Sequence, residues 1–255
     1  MKKIDIGRII EQYPTLHKSF DKAFIGIPKG VGGLKKSYYG KLNKFLKKYP
    51  DFKAKASPCV LYMHGSSGFL KGKKYRKWIV KKSNMIFIAL NSFAIQNRPT
   101  YMSPAPKKDY EAVHMIRQAE LKYALSHLNE LSFIDRKNLF LMGNSEGALA
   151  AGICRSKCYK GRILVSWGCE GSYYSKDYRI GAKKAVPILN IIGLNDQYFG
   201  VYSELGDFEK GHCAKALQEF GNSKVVLLPQ ITHNALESLY TKQEIVNFLN
   251  YWKKQ

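Results

Sequence analysis

Leu139-Phe140-Leu141-Met142-Gly143-Asn144-Ser145-Glu146-Gly147-Ala148-Leu149-Ala150-Ala151 decides how this chain folds. Its first four residues suit a buried strand, and its closing run of small residues suits a helix packed closely on a sheet. Between them stands Gly-x-Ser-x-Gly. A serine carried on a very sharp strand-to-helix turn tolerates no bulk two residues before or after it, which explains Gly143 and Gly147. The start of the following helix directs free backbone N–H groups and a partial positive charge at whatever sits above the serine. Ser145 is therefore the expected nucleophile, and the Glu146 N–H an expected donor to a developing oxyanion.

The same strand-then-helix rhythm extends in both directions. Short apolar runs predict strands over Cys59 to Met63, Met85 to Leu90, Asn138 to Met142, Ile163 to Trp167, Pro187 to Ile192 and Val225 to Leu228. Helical spacing predicts helices over Lys71 to Lys82, Lys108 to Leu131, Ser145 to Arg155, Asp207 to Phe220 and Gln243 to Trp252. Buried strands alternating with such helices imply crossover connections and a mainly parallel sheet covered on both faces. Residues 1–57 read differently. Apolar residues recur at helical spacing from Arg8 to Ala23 and from Tyr38 to Tyr49, around a glycine-rich Gly26 to Gly33, with no convincing strand. The expected division is thus a basic, helical N-terminal segment over 1–57, as part of the same domain or as a lid, and an α/β core over 58–255.

In a parallel sheet the chemistry collects in loops at the carboxyl ends of the strands. A serine hydroxyl needs a base, and of six histidines His233 is the one in the loop after the last strand. His17, His114, His127 and His212 fall on predicted helices, and His64 is expected to fix the geometry of its loop. The imidazole needs a carboxylate to set its tautomer. Asp196 follows the strand ending at Ile192; Asp177 and Asp207 are rivals without a strong strand before them. The order Ser145, Asp196, His233 fits this architecture. The second oxyanion donor is expected from His64-Gly65-Ser66-Ser67-Gly68, at the Ser66 N–H, with His64 and Gly65 beside the substrate.

These motifs resemble the α/β-hydrolase superfamily over residues 58–255. Asn91-Ser92-Phe93 with Arg98, and then Arg117 and Glu120, are similar to its dienelactone hydrolase-like branch, although serine stands at 145 where dienelactone hydrolases carry cysteine. The resemblance implies an eight-stranded sheet, hydrolysis of a carboxylic ester, lactone or thioester through an acyl-enzyme, and no cofactor. It implies for Arg98 a clamp on an anionic substrate group; a salt bridge, with Glu120 as a partner, is the alternative. A peptidase or acyltransferase could use the same triad. From a different class stands a non-catalytic protein on a hydrolase scaffold that binds a polyanion or membrane.

Composition narrows the rest. The 255 residues are 45% hydrophobic and 24% charged, which excludes coiled-coil, collagen-like and wholly disordered chains. Lys and Arg number 42 against 19 Asp and Glu, a formal charge of +23, of which +17 falls in residues 1–82. Such a field favours weak association with acidic surfaces. No zinc-finger spacing or RNA-binding motif accompanies it, so the expected partner is a small ester, anionic if Arg98 acts as a clamp, and no specific nucleic acid. Charges interrupt the start of the chain where a secretory signal needs an apolar stretch. Five cysteines, without metal-ligand spacing, suit a reducing, cytoplasmic setting, with Cys59, Cys154, Cys158 and Cys169 as small buried hydrophobes.

Overall fold

The computed structural model describes residues 6–69, 72–171, 178–206 and 208–255. Strands β1 (Phe24–Ile27), β2 (Tyr38–Lys41), β3 (Ser57–Met63), β4 (Ile86–Ala89), β5 (Ile134–Asn144), β6 (Gly161–Val165), β7 (Ile188–Gly193) and β8 (Ser223–Leu228) form one sheet in the order β2-β1-β4-β3-β5-β6-β7-β8. From β4 to β8 every pairing is parallel. The α-helices are α1 (Ile6–Gln12), α2 (Lys18–Asp21), α3 (Leu42–Lys48), α4 (Gly72–Ser83), α5 (Lys107–His127), α6 (Glu146–Ile153) and α7 (Leu239–Trp252).

The period-two alternation of the strands splits their side chains between two cores. Val60, Tyr62, Phe87, Phe140, Met142, Ile163 and Ile191 face a cluster completed by Ile79 of α4 and Ile245 of α7. Leu61, Met63, Ile88, Leu139, Leu141 and Leu164 face another, completed by Leu121 of α5 and Leu149 of α6. These residues are almost fully buried, and burying each such side chain is worth about 1.5–3 kcal/mol. The helix α6 is buried along its whole length. It fits because its residues are small: a Cβ on Gly152 would sit 2.0 Å from the Trp167 ring. Buried Arg162 of β6 donates to the Ala151 and Gly152 carbonyls (2.8 and 2.9 Å), satisfying acceptors that the helix end leaves open.

Three expectations need correction. Residues 1–57 are not purely helical: β1 and β2 form a hairpin that pairs antiparallel with β4 and extends the sheet. Each strand has only four residues and carries a glycine, Gly26 or Gly40, so its stability comes from pairing rather than from its own composition. The segment from 207 to 220 is not an α-helix; its described residues form bends and turns. Gly211 has φ +67 and abuts Gly200 and Val201, Glu170 accepts the Lys210 and Gly211 N–H groups, and Cys213 is disulfide-bonded to Cys169. These ties impose an irregular path on a sequence of helical period. The disulfide also corrects the reading of Cys169 as a simple buried hydrophobe.

Candidate active site

Ser145 stands between β5 and α6 with φ 54° and ψ −122°, an uncommon conformation for a non-glycine residue and one that costs about 1–3 kcal/mol. Its neighbours hold it there. The Ser145 N–H donates to the Val165 carbonyl at 2.9 Å, and the Ala148 and Leu149 N–H groups return to its own carbonyl. A Cβ on Gly143 would lie 2.1 Å from the Gly147 oxygen, and one on Gly147 2.1 Å from the Met63 oxygen. Both are collisions with backbone that no side-chain movement relieves. Gly147→Ala is accordingly expected to lower stability by about 3 kcal/mol or to abolish folding, read by urea denaturation.

The loops after β7 and β8 are joined. The Leu194 N–H donates to the Leu228 carbonyl and the Asn195 N–H to the Ile231 carbonyl, while Gly193 leaves no room for a Cβ under Ile231. The Ser166 hydroxyl donates to the His233 carbonyl at 2.8 Å. This framework brings together three side chains separated by up to 88 positions. His233 Nε2 lies 2.8 Å from Ser145 Oγ, and His233 Nδ1 lies 2.8 Å from Asp196 Oδ2. The other Asp196 oxygen accepts the Tyr198 and Phe199 N–H groups (2.9 and 3.0 Å). Asp196 is fully buried, and the Tyr198 and Phe199 rings flank the imidazole at 4.7 and 5.8 Å. With Nδ1–H directed at the carboxylate, Nε2 is left to accept the serine proton. The rival acids Asp177 and Asp207 lie outside the described residues.

The serine and imidazole open on a cleft of about 570 Å³. Gly65, Ser66, Ser67, Gly68 and Glu146 line it on one side, and Tyr101, Met102, Gln197, Tyr198 and Phe199 on others. Gly65 approaches closely enough that a Cβ there would be 3.2 Å from Ser145 Cβ. His64 lies beneath the cleft rather than within it. Its Nδ1–H donates to the Gly65 carbonyl (2.7 Å), and its Nε2 accepts the Ser92 N–H (3.1 Å). Burial and the nearby Arg117 guanidinium push its pKa well below the ordinary histidine value, so the ring is neutral and works as a fixed connector.

Arg98 is the site residue that the structure places differently. It does not line the cleft. Its Nη2 pairs with Glu146 Oε1 at 2.7 Å, its Nε donates to Ser92 Oγ and its Nη1 to the Pro99 carbonyl. Both members of the pair are at most 2% exposed. A guanidinium engaged on all three nitrogens is not available to a substrate carboxylate, and the partner is Glu146 rather than Glu120. Glu120 instead pairs with Arg117 at 2.9 Å, its carboxyl pushed upward by burial against the pull of that guanidinium. Arg117 also donates to the His64 carbonyl (2.6 Å) and lies 3.4 Å from Glu146. The Tyr101 hydroxyl completes the set on Glu146 Oε2 at 2.8 Å. The sequence reading missed this network because Glu146 lies 48 positions from Arg98 and 29 from Arg117. A charged residue inside an otherwise small and apolar helix was the signal that could have found it.

Among the described residues no group of three or more His, Cys, Asp or Glu side chains is placed to hold a metal ion. Among them, too, no helix is long and apolar enough to cross a membrane.

No family model matches the sequence, and no curated protein is significantly similar to it. Solved structures are similar in fold. One is a phospholipase/carboxylesterase from Dyadobacter fermentans, with a TM-score of 0.55 and 18% identity over 76% of this chain and 90% of the other. Another is a candidate dienelactone hydrolase from Klebsiella pneumoniae, with 0.56 and 14% over 80% and 90%. A third is an esterase from the archaeon Pyrobaculum calidifontis, with 0.53 and 15% over 97% and 92%. The sheet order, the turn at Ser145 and these likenesses agree, and the chain has the α/β-hydrolase fold.

Proposed function

We propose that this protein is a serine hydrolase of carboxylic esters, of the dienelactone hydrolase-like kind, acting through an acyl-enzyme. The observation that carries the reading is the continuous hydrogen-bonded line from Ser145 through His233 to Asp196 at the floor of an open cleft. Ser145 Oγ attacks the ester carbonyl as its proton passes to His233 Nε2, and the Asp196 carboxylate stabilises the resulting imidazolium. The carbonyl oxygen becomes an oxyanion facing the Glu146 and Ser66 N–H groups, each worth about 3 kcal/mol in the transition state. His233 then returns the proton to the leaving alcohol. Water, activated by the same imidazole, releases the acid and restores the serine.

The cleft favours a neutral ester. Among its described lining residues there is no Lys or Arg to meet an anionic group, and the charge of Glu146 is taken up by Arg98. The test is a fluorophosphonate probe mapped by mass spectrometry, together with turnover of a short nitrophenyl ester. A single adduct on Ser145 and loss of turnover in Ser145→Ala support the reading; equal rates in parent and variant remove it. A cytoplasmic setting belongs to the same proposal and makes its own demand. There the Cys169–Cys213 bond would be open to reduction, so protein denatured directly from lysed cells should titrate with all five thiols. Finding only the three unpaired ones would place it in an oxidising compartment.

A further inference from the structure

The sheet order divides the cleft in two. Ser145 follows β5. The loop after β3 and the segment after β4 rise on one side of it, and the loops after β7 and β8, which carry Asp196 and His233, rise on the other. His233 Nε2 is the group that returns a proton to the departing oxygen. The alcohol half of the ester therefore lies against the β7–β8 side. That side is lined by Gln197, Tyr198, Phe199, Asn234, Leu236 and Glu237. Their chemistry decides which alcohol can leave.

Two uncharged polar groups are left open there. Gln197 uses its Oε1 to accept the His233 N–H at 3.3 Å, and its Nε2 has no partner among the described residues. The Tyr198 backbone N–H holds Asp196, but the Tyr198 hydroxyl has no partner among the described residues either. The Tyr198 ring is half-buried, packed edge to face on the imidazole at 4.7 Å, and its remaining surface borders the cleft. An amide NH2 donates, a phenol both donates and accepts, and Asn234 and Glu237 add acceptor oxygens. An anionic group would use only the donors, an ammonium only the acceptors, and a hydrocarbon neither. A hydroxylated ring uses both, and it also offers an apolar C–H face to the aromatic surface.

We infer that the alcohol half of the substrate is a neutral sugar, its ring against Tyr198 and its hydroxyls met by Gln197 Nε2 and the Tyr198 hydroxyl. The inference rests on the esterase reading and names the substrate class of that same site, an acylated sugar. The bond between the acyl carbon and the sugar oxygen breaks, the proton on His233 passes to that oxygen, and water then releases the acyl group from Ser145 as a carboxylic acid. The cleft of about 570 Å³ has the size of a small-molecule site. A site that hydrogen-bonds substrate hydroxyls rejects an analogue without them, because its own polar groups then lose water and gain no partner.

The test compares methyl 6-O-acetyl-glucopyranoside with two other acetates on the full chain. Cyclohexylmethyl acetate keeps the six-membered ring and the CH2–O–acetyl linkage without the hydroxyls, and acetylcholine is the ester that Glu237 alone would select. The sugar ester is expected to show a kcat/KM at least about tenfold above both. Combining Tyr198→Phe with Gln197→Glu removes both donors while keeping the ring and the Oε1 that accepts the His233 N–H. The ratio of sugar to cyclohexyl kcat/KM should then fall by about fivefold or more. A general loss acting through His233 cancels in that ratio, and thermal melts confirm that the variant is folded. Equal rates on the sugar and cyclohexyl esters, an unchanged ratio in the variant, or a preference for acetylcholine overturns the inference. Saturation-transfer NMR on Ser145→Ala protein reads binding without turnover: the sugar ester should bind, and the same two substitutions should abolish its signal. Hydrolysis of nitrophenyl acetate without sugar preference defeats the inference and leaves the esterase reading standing. An inactive parent that still binds the sugar ester separates the two failures the other way, and one that neither reacts nor binds removes both.

Discussion

His233→Ala should lower kcat for a short nitrophenyl ester by about four to six orders of magnitude while leaving KM within a few-fold, because removing the base costs little ground-state binding. Asp196→Asn is the more informative partner. One Asp196 oxygen is pinned by the Tyr198 and Phe199 N–H groups. An asparagine must therefore keep its carbonyl there and turn its NH2 toward His233 Nδ1. The imidazole then has to accept at Nδ1 and carry its proton on Nε2, facing the Ser145 hydroxyl with a donor where an acceptor is needed. A loss of about 10⁴-fold in kcat without loss of stability is expected. Stopped-flow turnover with matched thermal melts reads both. An Asp196→Asn enzyme near parental activity would mean that the carboxylate does not set the tautomer.

The second large effect concerns stability. Glu146 is buried and holds Arg98 and Tyr101 directly, with Arg117 close by. Glu146→Ala removes the carboxylate from two buried guanidinium groups, and breaking a buried ion pair from one side costs about 3–5 kcal/mol. For a chain of this size that is a fall in Tm of about 10 °C. Glu146→Gln keeps shape and some hydrogen bonds and should lose less than half as much. Because Arg117 also holds the His64 carbonyl, the substitution loosens both sides of the proposed oxyanion site, so kcat should drop more than KM changes. A Glu146→Ala protein within about 1 kcal/mol of the parent would show that the network does not stabilise the fold.

What could be read in advance follows a physical division. The strands from β3 to β7 were legible because parallel strands buried on both faces appear as continuous apolar runs, and β8, a half-exposed edge strand, still carries the apolar run Val225 to Leu228. The positions of Ser145, Asp196 and His233 were legible because each directly follows such a run. The hairpin of β1 and β2 was not, since its four-residue strands are held by an edge formed elsewhere in the chain. Nor was the irregular path near Gly211, which depends on Glu170 and on a disulfide spanning 44 residues. Arg98 illustrates the limit most directly. Local sequence suggested either a substrate or Glu120 for its charge, and only the three-dimensional fold presents Glu146.

The pairing of β1 with β4 also changes what the lysine-rich front of the chain can be used for. Every side chain of β4 is buried, whereas β2 forms the open margin of the sheet, half-buried and bordered by Lys35, Lys36 and Lys41. Repelling cations along such a margin discourage another molecule from adding a strand. Trimming the front portion would strip β4 of its cover and leave an uncharged, apolar ladder facing solvent, inviting precipitation and intermolecular stacking. A shortened protein would then report on self-aggregation instead of on electrostatic attachment, so charge-neutralising replacements on the intact chain are the sounder tool.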